Sequence, residues 1–166
     1  YASEKFAEEF TYEGDDLGCV FENGIARFCV WAPTAERVTL NLYSSGTPGE
    51  GTAIPMPMIP GENGTWTAIW AGGNLEGKYY TYSVTRGGET VEACDPYART
   101  TGVNGHRAMI LDLCRTNPSD WDRDTDPNAG NAMTDNVLYE LHVRDLSMDK
   151  SSGIHNKGKF LGLTEE

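Results

Sequence analysis

The chain has 166 residues, 39% of them hydrophobic and 23% charged, enough for one domain, or for one domain and part of a second. Its 13 basic and 25 acidic side chains leave a net charge of −12, which repels phosphate backbones and argues against a nucleic-acid partner. No run reaches the roughly 18 apolar residues of a membrane span, and residues 1–10 lack the apolar stretch of a secretion signal.

The first elements in the chain predict a β-hairpin. Asn23-Gly24 is a strong signal for a two-residue turn, and apolar residues alternate with other residues on both sides of it. The resulting register pairs Cys19 with Phe28 and puts Cys29 on the opposite face, so these two thiols cannot form a disulfide. Helical spacing is visible only in residues 2–10.

The rest of the first hundred residues predicts short strands separated by turns. Further strands are expected at residues 38–43, 54–58, 64–70, 77–85 and 89–94, and an apolar run at 108–113 could lie against them. The run 54–58 contains two prolines, which restricts it to a sheet edge. About seven strands at this spacing, with 19 glycines and eight prolines in the chain, indicate an all-β fold of the β-sandwich type.

The four cysteines have spacings that match no zinc template, so no metal site is expected. No cofactor is expected either. Cys94 and Cys114 could form a bridge, but nothing in the pattern requires one. Free thiols favour a reducing compartment. With no visible signal, the expected location is cytoplasmic, and an extracellular location stays open.

The last fifty residues differ in character from the sandwich. Residues 115–135 are polar and acidic and read as a linker. In the segment 136–166, alternation from Val137 to Asp145 predicts a strand whose polar face carries Glu140, His142 and Arg144. Such a strand is typical of a parallel barrel, and too few residues follow it here to complete one.

Five sequence blocks together resemble one family. They are Trp31-Ala-Pro-Thr-Ala35, Gly77-Lys-Tyr-Tyr-Thr-Tyr82, Asp95-Pro-Tyr-Ala98, Gly102-Val-Asn-Gly105 and Tyr139-Glu-Leu-His-Val-Arg-Asp-Leu-Ser147. In this order they resemble the amino-terminal part of type I pullulanases, starch- and glycogen-debranching enzymes of glycoside hydrolase family 13. The resemblance implies an immunoglobulin-like β-sandwich of carbohydrate-binding module family 48 at 1–114, a linker at 115–135 and the start of a catalytic (β/α)₈ barrel at 136–166.

The function implied by this resemblance is that of a non-catalytic domain that braces the barrel, with contact to α-glucan as an added role. The alternative is a stand-alone α-glucan-binding module. Retaining hydrolysis needs two carboxyl groups about 5 Å apart. Glu140 and Asp145 would lie about 16 Å apart on the predicted strand, at about 3.3 Å per residue. The chain alone is therefore not expected to be an enzyme.

Aromatic side chains are the candidates for glucan contact, because sugar rings stack on exposed aromatic faces. Tyr43, Trp66 and Tyr79 are the residues predicted for this role, and packing inside the sandwich is the competing interpretation. Glucan-binding members of the resembled family place tryptophans after the third strand and before the Asp-Pro element, with a lysine between. Here Tyr43-Ser44-Ser45, Glu89-Thr90 and Thr81 stand there instead, which predicts weak binding.

Two partners are expected besides glucan. One is the remainder of the barrel, and the other is a second copy of the chain, because a barrel strand without neighbours leaves backbone and apolar groups uncovered. The sequence therefore predicts a homo-dimer through 136–166, or coverage of this segment within its own chain.

Overall fold

The computed structural model describes residues 3–165; residues 1, 2 and 166, which end the predicted ranges 1–114 and 136–166, lie outside the described residues. The chain divides into two compact units, Tyr1–Pro118 and Ser119–Glu166. No helix within 3–165 has the length and apolar character needed to cross a membrane. The first unit contains α1 (Glu4–Phe10), β1 (Gly18–Glu22), β2 (Ile25–Trp31), β3 (Arg37–Tyr43), β4 (Ile54–Pro57), β5 (Ile59–Pro60), β6 (Thr65–Trp70), β7 (Tyr79–Arg86), β8 (Glu89–Ala93) and β9 (Ala108–Met109).

The strands form two antiparallel sheets. The first sheet has the order β1-β2-β6-β5, and the second has the order β4-β3-β7-β8, with β9 also paired to β7. The chain passes from the edge of the second sheet to the edge of the first at Met58, between β4 and β5. The predicted all-β sandwich and the edge position of the proline-containing strand are therefore confirmed.

The first hairpin has the predicted turn and register. Asn23 and Gly24 both have positive φ, 52° and 78°, as a tight two-residue hairpin turn requires. Cys19 pairs with Phe28, so it faces the core while Cys29 faces the other side of the sheet. All four cysteines are free thiols, and burial raises the pKa of Cys19 to about 12.

The core lies between the inner faces of the two sheets. Its largest buried side chains are aromatic, and Phe28 contacts Tyr80 edge-on with ring centroids 5.0 Å apart. Tyr80 in turn contacts Tyr82 at 5.6 Å. Leu40, which pairs with Tyr82 on the neighbouring strand, is 0% exposed. Period-two alternation in β2, β3 and β7 therefore puts one apolar set inside, as predicted.

A buried carboxylate links the Asp-Pro-Tyr segment to this core. Asp95 is 3% exposed and accepts hydrogen bonds from the hydroxyl of Tyr80 at 2.7 Å and the backbone N–H of Tyr97 at 2.8 Å. Desolvation raises the pKa of Asp95 above its ordinary value, against the lowering effect of these hydrogen bonds. The aspartate thus fixes the chain after β8 against the sandwich.

The second unit corrects the sequence prediction. Residues 137–142 are not in a strand, and α2 (Val143–Met148) occupies the positions where the strand was expected to end. The physical reason is that a strand is stabilised by ladder partners, and no neighbouring strand exists among residues 119–165. Val137 and Leu138 are 94% and 95% exposed as a result.

Local hydrogen bonds hold the part of this unit that follows. Ser147 is buried, donates to the carbonyl of Val143 at 2.9 Å and accepts from the N–H of Gly158 at 2.6 Å. The ammonium group of Lys157 donates to the carbonyl of Asp149 at 2.6 Å and to the hydroxyl of Ser152 at 2.9 Å. Residues 143–158 therefore form a compact local structure of α2 and the turns that follow it, without a sheet.

Candidate functional site

The outer face of the second sheet carries a cluster of hydrogen-bonded polar side chains. Asn41 and Tyr43 on β3 and Thr81 on β7 point away from the core, since successive residues of a strand face opposite sides. Glu92 on β8 lies beside them, because Ser83 pairs with Glu92. Three neighbouring strands thus supply an amide, two hydroxyls and a carboxylate to one patch.

These polar groups are joined in a hydrogen-bond network. The hydroxyls of Tyr43 and Thr81 both donate to Oε1 of Glu92, at 2.5 and 2.6 Å. The amide of Asn41 donates to the hydroxyls of Ser83 and Thr81 at 2.8 and 3.3 Å. Asn41, Tyr43 and Thr81 are all buried, so the network holds its side chains in fixed positions.

Arg107 covers the ring of Tyr43. Its guanidinium carbon lies 3.6 Å from the ring centroid, and the side chain is 7% exposed. Nη1 of Arg107 donates to the carbonyls of Ser45 at 2.6 Å and Glu50 at 2.8 Å. The loop after β3 therefore holds the guanidinium group of Arg107 over an aromatic face, where a cation is attracted by the ring.

Charges within this site reinforce one another. Hydrogen bonds from Thr81 and then Tyr43, together with the positive charge of Arg107, lower the pKa of Glu92 below its ordinary value. Burial, followed by the hydrogen bond to Glu92, raises the pKa of Tyr43. At neutral pH the carboxylate is ionised and accepts hydrogen bonds only, while the phenol is a donor.

A cavity of about 260 Å³ opens beside the network. Tyr43, Thr81, Glu92, His106 and Arg107 are among the residues that line it. Donors, an ionised acceptor and part of an aromatic ring in one small cavity suit recognition of hydroxyl groups. No group of three or more His, Cys, Asp or Glu side chains within residues 3–165 could hold a metal ion.

Tyr79, the second tyrosine predicted to contact sugar, packs beneath two loops. A Cβ atom placed on Gly46 would lie 2.5 Å from Cε1 of its ring, and one placed on Gly102 would lie 3.0 Å from the same atom. The N–H of Val103 donates to the carbonyl of Gly46 at 3.2 Å and joins the loops. Glycine at both positions thus lets the loops close onto the ring.

Trp66, the third predicted aromatic, lies on the inner face of the first sheet. It pairs with Val30 and packs against the hydrophobic core, and its indole N–H donates to the carbonyl of Ala32 at 3.2 Å. This is the packing that was the competing interpretation at the sequence level. The structure thus brings Tyr43 and Tyr79 to one face and Trp66 to another.

The polar residues predicted on the barrel strand do not share a strand face. Glu140 is exposed and precedes α2, whereas His142 caps this helix and accepts from the N–H of Asp145 at 3.4 Å. Arg144 lies within α2. A barrel interior needs neighbouring strands. The role of Glu140, His142 and Arg144 on a polar barrel face therefore stays a prediction.

Arg107 is the residue that the sequence patterns missed. It stands alone in the loop that follows Gly102-Val-Asn-Gly105, and 64 positions of chain separate it from Tyr43, so no spacing rule connects the two. One signal was available in the apolar run from 108. Ala108 pairs with Tyr80, which places Arg107 next to Thr81 on the outer face.

A family model describes this part of the chain. Residues 16–98 match the model of carbohydrate-binding module 48, the isoamylase N-terminal domain. The chain belongs to this family. The matched range of the module contains Tyr43, Trp66, Tyr79 and Glu92 but ends before Arg107.

Similarity to known proteins extends beyond residues 16–98 in both directions. The pullulanase of Bacillus subtilis (strain 168) is 34% identical over 160 residues, which cover 96% of this chain and 21% of that protein. The crystal structure of Paenibacillus barengoltzii pullulanase with maltohexaose and α-cyclodextrin is 47% identical with a TM-score of 0.89, over 99% of this chain and 25% of that one. Bacillus acidopullulyticus pullulanase is 46% identical with a TM-score of 0.85, over 95% and 19%.

These findings confirm the resemblance to an amino-terminal region of pullulanases. The chain spans about a fifth to a quarter of the length of these relatives.

Proposed function

We propose that this chain is the non-catalytic amino-terminal part of an α-1,6-glucan debranching enzyme of the pullulanase type. Its sandwich would brace the catalytic barrel. The observation that carries this proposal is the extent of the likeness to Paenibacillus barengoltzii pullulanase, which runs over 99% of the chain, well past the module itself. A stand-alone α-glucan-binding module, the alternative, gives no reason for likeness in residues 99–165.

The segment 136–166 belongs to this proposal as the start of the (β/α)₈ barrel, after a linker at 115–135. Residues 137–142 are in no helix or strand and expose apolar side chains, which leaves them free to pair once barrel neighbours are present. The strand would end before Val143, where α2 begins. Glu140 and His142 would then face the barrel interior, while Arg144 would lie on the helix.

Contact with α-glucan is a secondary part of the proposal, with Tyr43, Trp66 and Tyr79 as its candidate residues. Weak affinity is expected, because the ring of Tyr43 lies under Arg107, that of Tyr79 under two loops and that of Trp66 against the core. A cytoplasmic location and a dimer through 136–166 are further proposals. The location rests on the free thiols, and the dimer on the exposed apolar residues 137–139.

A chimera tests the bracing role directly. The matching segment of Paenibacillus barengoltzii pullulanase is replaced by this chain, and pullulan hydrolysis and thermal unfolding are compared with the parent and with a deletion of that segment. We expect the chimera to hydrolyse pullulan and the deletion to be inactive or much less stable. A soluble, folded chimera without activity would contradict the proposal, as would pullulan hydrolysis by this chain alone.

A further inference from the structure

The position of Arg107 has a consequence for ligand binding. A sugar ring stacks on an aromatic side chain through its apolar face, and it needs that aromatic face uncovered. The guanidinium group of Arg107 occupies this position on Tyr43, with its carbon 3.6 Å from the ring centroid. The arginine is held there by two carbonyls of the loop after β3, at 2.6 and 2.8 Å.

The remaining parts of a sugar site are present around the covered ring. Thr81 and Glu92 lie within hydrogen-bond reach of one another beside Tyr43, and the adjoining cavity of about 260 Å³ has room for a small polar molecule. Removing the side chain of Arg107 would uncover the ring next to these groups. It would leave Glu92 without its nearby positive charge but still bonded to Thr81.

We propose that Arg107 sets the glucan affinity of this module by occupying the stacking face of Tyr43. The proposal takes its ligand class, an α-glucan, from the proposed function. It does not depend on whether the chain braces a barrel, since binding is measured on the chain itself.

The test is the binding of maltohexaose to the wild-type chain and to Arg107→Ala, followed by NMR titration. We expect a dissociation constant about tenfold lower in Arg107→Ala, in line with the energy of one added aromatic contact. The gain should disappear in Arg107→Ala/Tyr43→Leu. Equal affinity of wild type and a folded Arg107→Ala, or a gain that survives the loss of Tyr43, would overturn the proposal.

Arg37→Ala is the matched control. Arg37 is an exposed arginine at the other end of β3 that donates to Thr85 at 3.4 Å, so its removal changes the charge of the same face and uncovers no ring. We expect maltohexaose affinity to stay at the wild-type value. An equal gain in Arg37→Ala and Arg107→Ala would assign the effect to net charge and refute a role for the ring.

A measurement on the wild-type chain covers the case in which Arg107→Ala does not fold. During titration with maltohexaose, the ring resonances of Tyr43 should stay unchanged, because its face is occupied. Saturable shifts of these resonances would show that sugar reaches the ring with Arg107 in place, which is incompatible with the proposal. A chimera that fails to hydrolyse pullulan would leave both readouts intact, so the two proposals fail separately.

Discussion

The same sequence pattern forms a strand in the sandwich and forms no strand in the segment from residue 119 onward. Apolar residues alternate with polar ones in 38–43 and again in 137–143. The first run is a strand with β4 on one side and β7 on the other, and its Leu40 is 0% exposed. The second forms no strand, and Val137 of its alternating apolar set is 94% exposed. Alternation therefore indicates which side chains would share a face of a strand, whereas the strand forms only where partner strands are present.

The largest expected effect comes from comparing one leucine in each region. Leu40→Ala should lower the free energy of unfolding by about 2–5 kcal/mol, because it leaves a cavity in a close-packed core. Leu138→Ala should change it by less than about 0.5 kcal/mol, because this side chain is already in solvent. Urea unfolding followed by tryptophan fluorescence measures both. A cost for Leu138→Ala that approaches the cost for Leu40→Ala would mean that the segment packs on a surface in solution.

The contrast explains how far sequence reasoning reached. The hairpin at Asn23-Gly24, the inward set of β3 and the proline edge strand were predictable, because turn chemistry and period-two alternation act within a few residues. The prediction of a strand at 137–145 was wrong. Alternation does not form a strand without partner strands, and residues 119–165 contain none.

The candidate site lay beyond these patterns. The pairing of β9 with β7 places Arg107 beside Tyr43, and this pairing joins residues far apart in the chain. Local patterns therefore predicted an aromatic residue at the site and missed the side chain that covers it.

A second prediction concerns the pH dependence of the sandwich. Because desolvation raises the folded-state pKa of Asp95 above its ordinary value of 3.8, the folded protein holds this proton more tightly than the unfolded chain does. The stabilisation is fully present below the unfolded pKa and is lost as pH rises through the folded pKa. As pH rises above 4, the unfolding free energy of wild type should therefore fall relative to that of Asp95→Asn.

Two measurements check the Asp95 prediction. Urea unfolding of both proteins across this pH range gives the difference, and an NMR titration of the carboxyl carbon gives the folded pKa. Each unit by which that pKa exceeds 3.8 corresponds to about 1.4 kcal/mol. A folded pKa below 3.8 would mean that the hydrogen bonds from Tyr80 and Tyr97 outweigh desolvation.

A third prediction uses the cysteines as probes of burial. Cys114 is exposed, whereas Cys19 lies against the core and its pKa is raised to about 12 by burial. Under native conditions at pH 8, iodoacetamide should modify Cys114 at least about a hundredfold faster than Cys19, since the thiolate is the reactive form. Under denaturing, non-reducing conditions, mass spectrometry should find four modified thiols. Fewer than four would reveal a disulfide.

The smallest expected effect is on the sandwich when the second unit is removed. Because residues 143–158 are held by bonds to one another, a chain that ends at residue 135 should unfold within about 0.5 kcal/mol of the full chain. Any difference should instead appear in association, since residues 137–139 expose three large apolar side chains. Light scattering should therefore show a dimer for the full chain and a monomer for the shortened one. If both are monomeric and equally soluble, the exposed residues do not join two copies, and the dimer proposal is wrong.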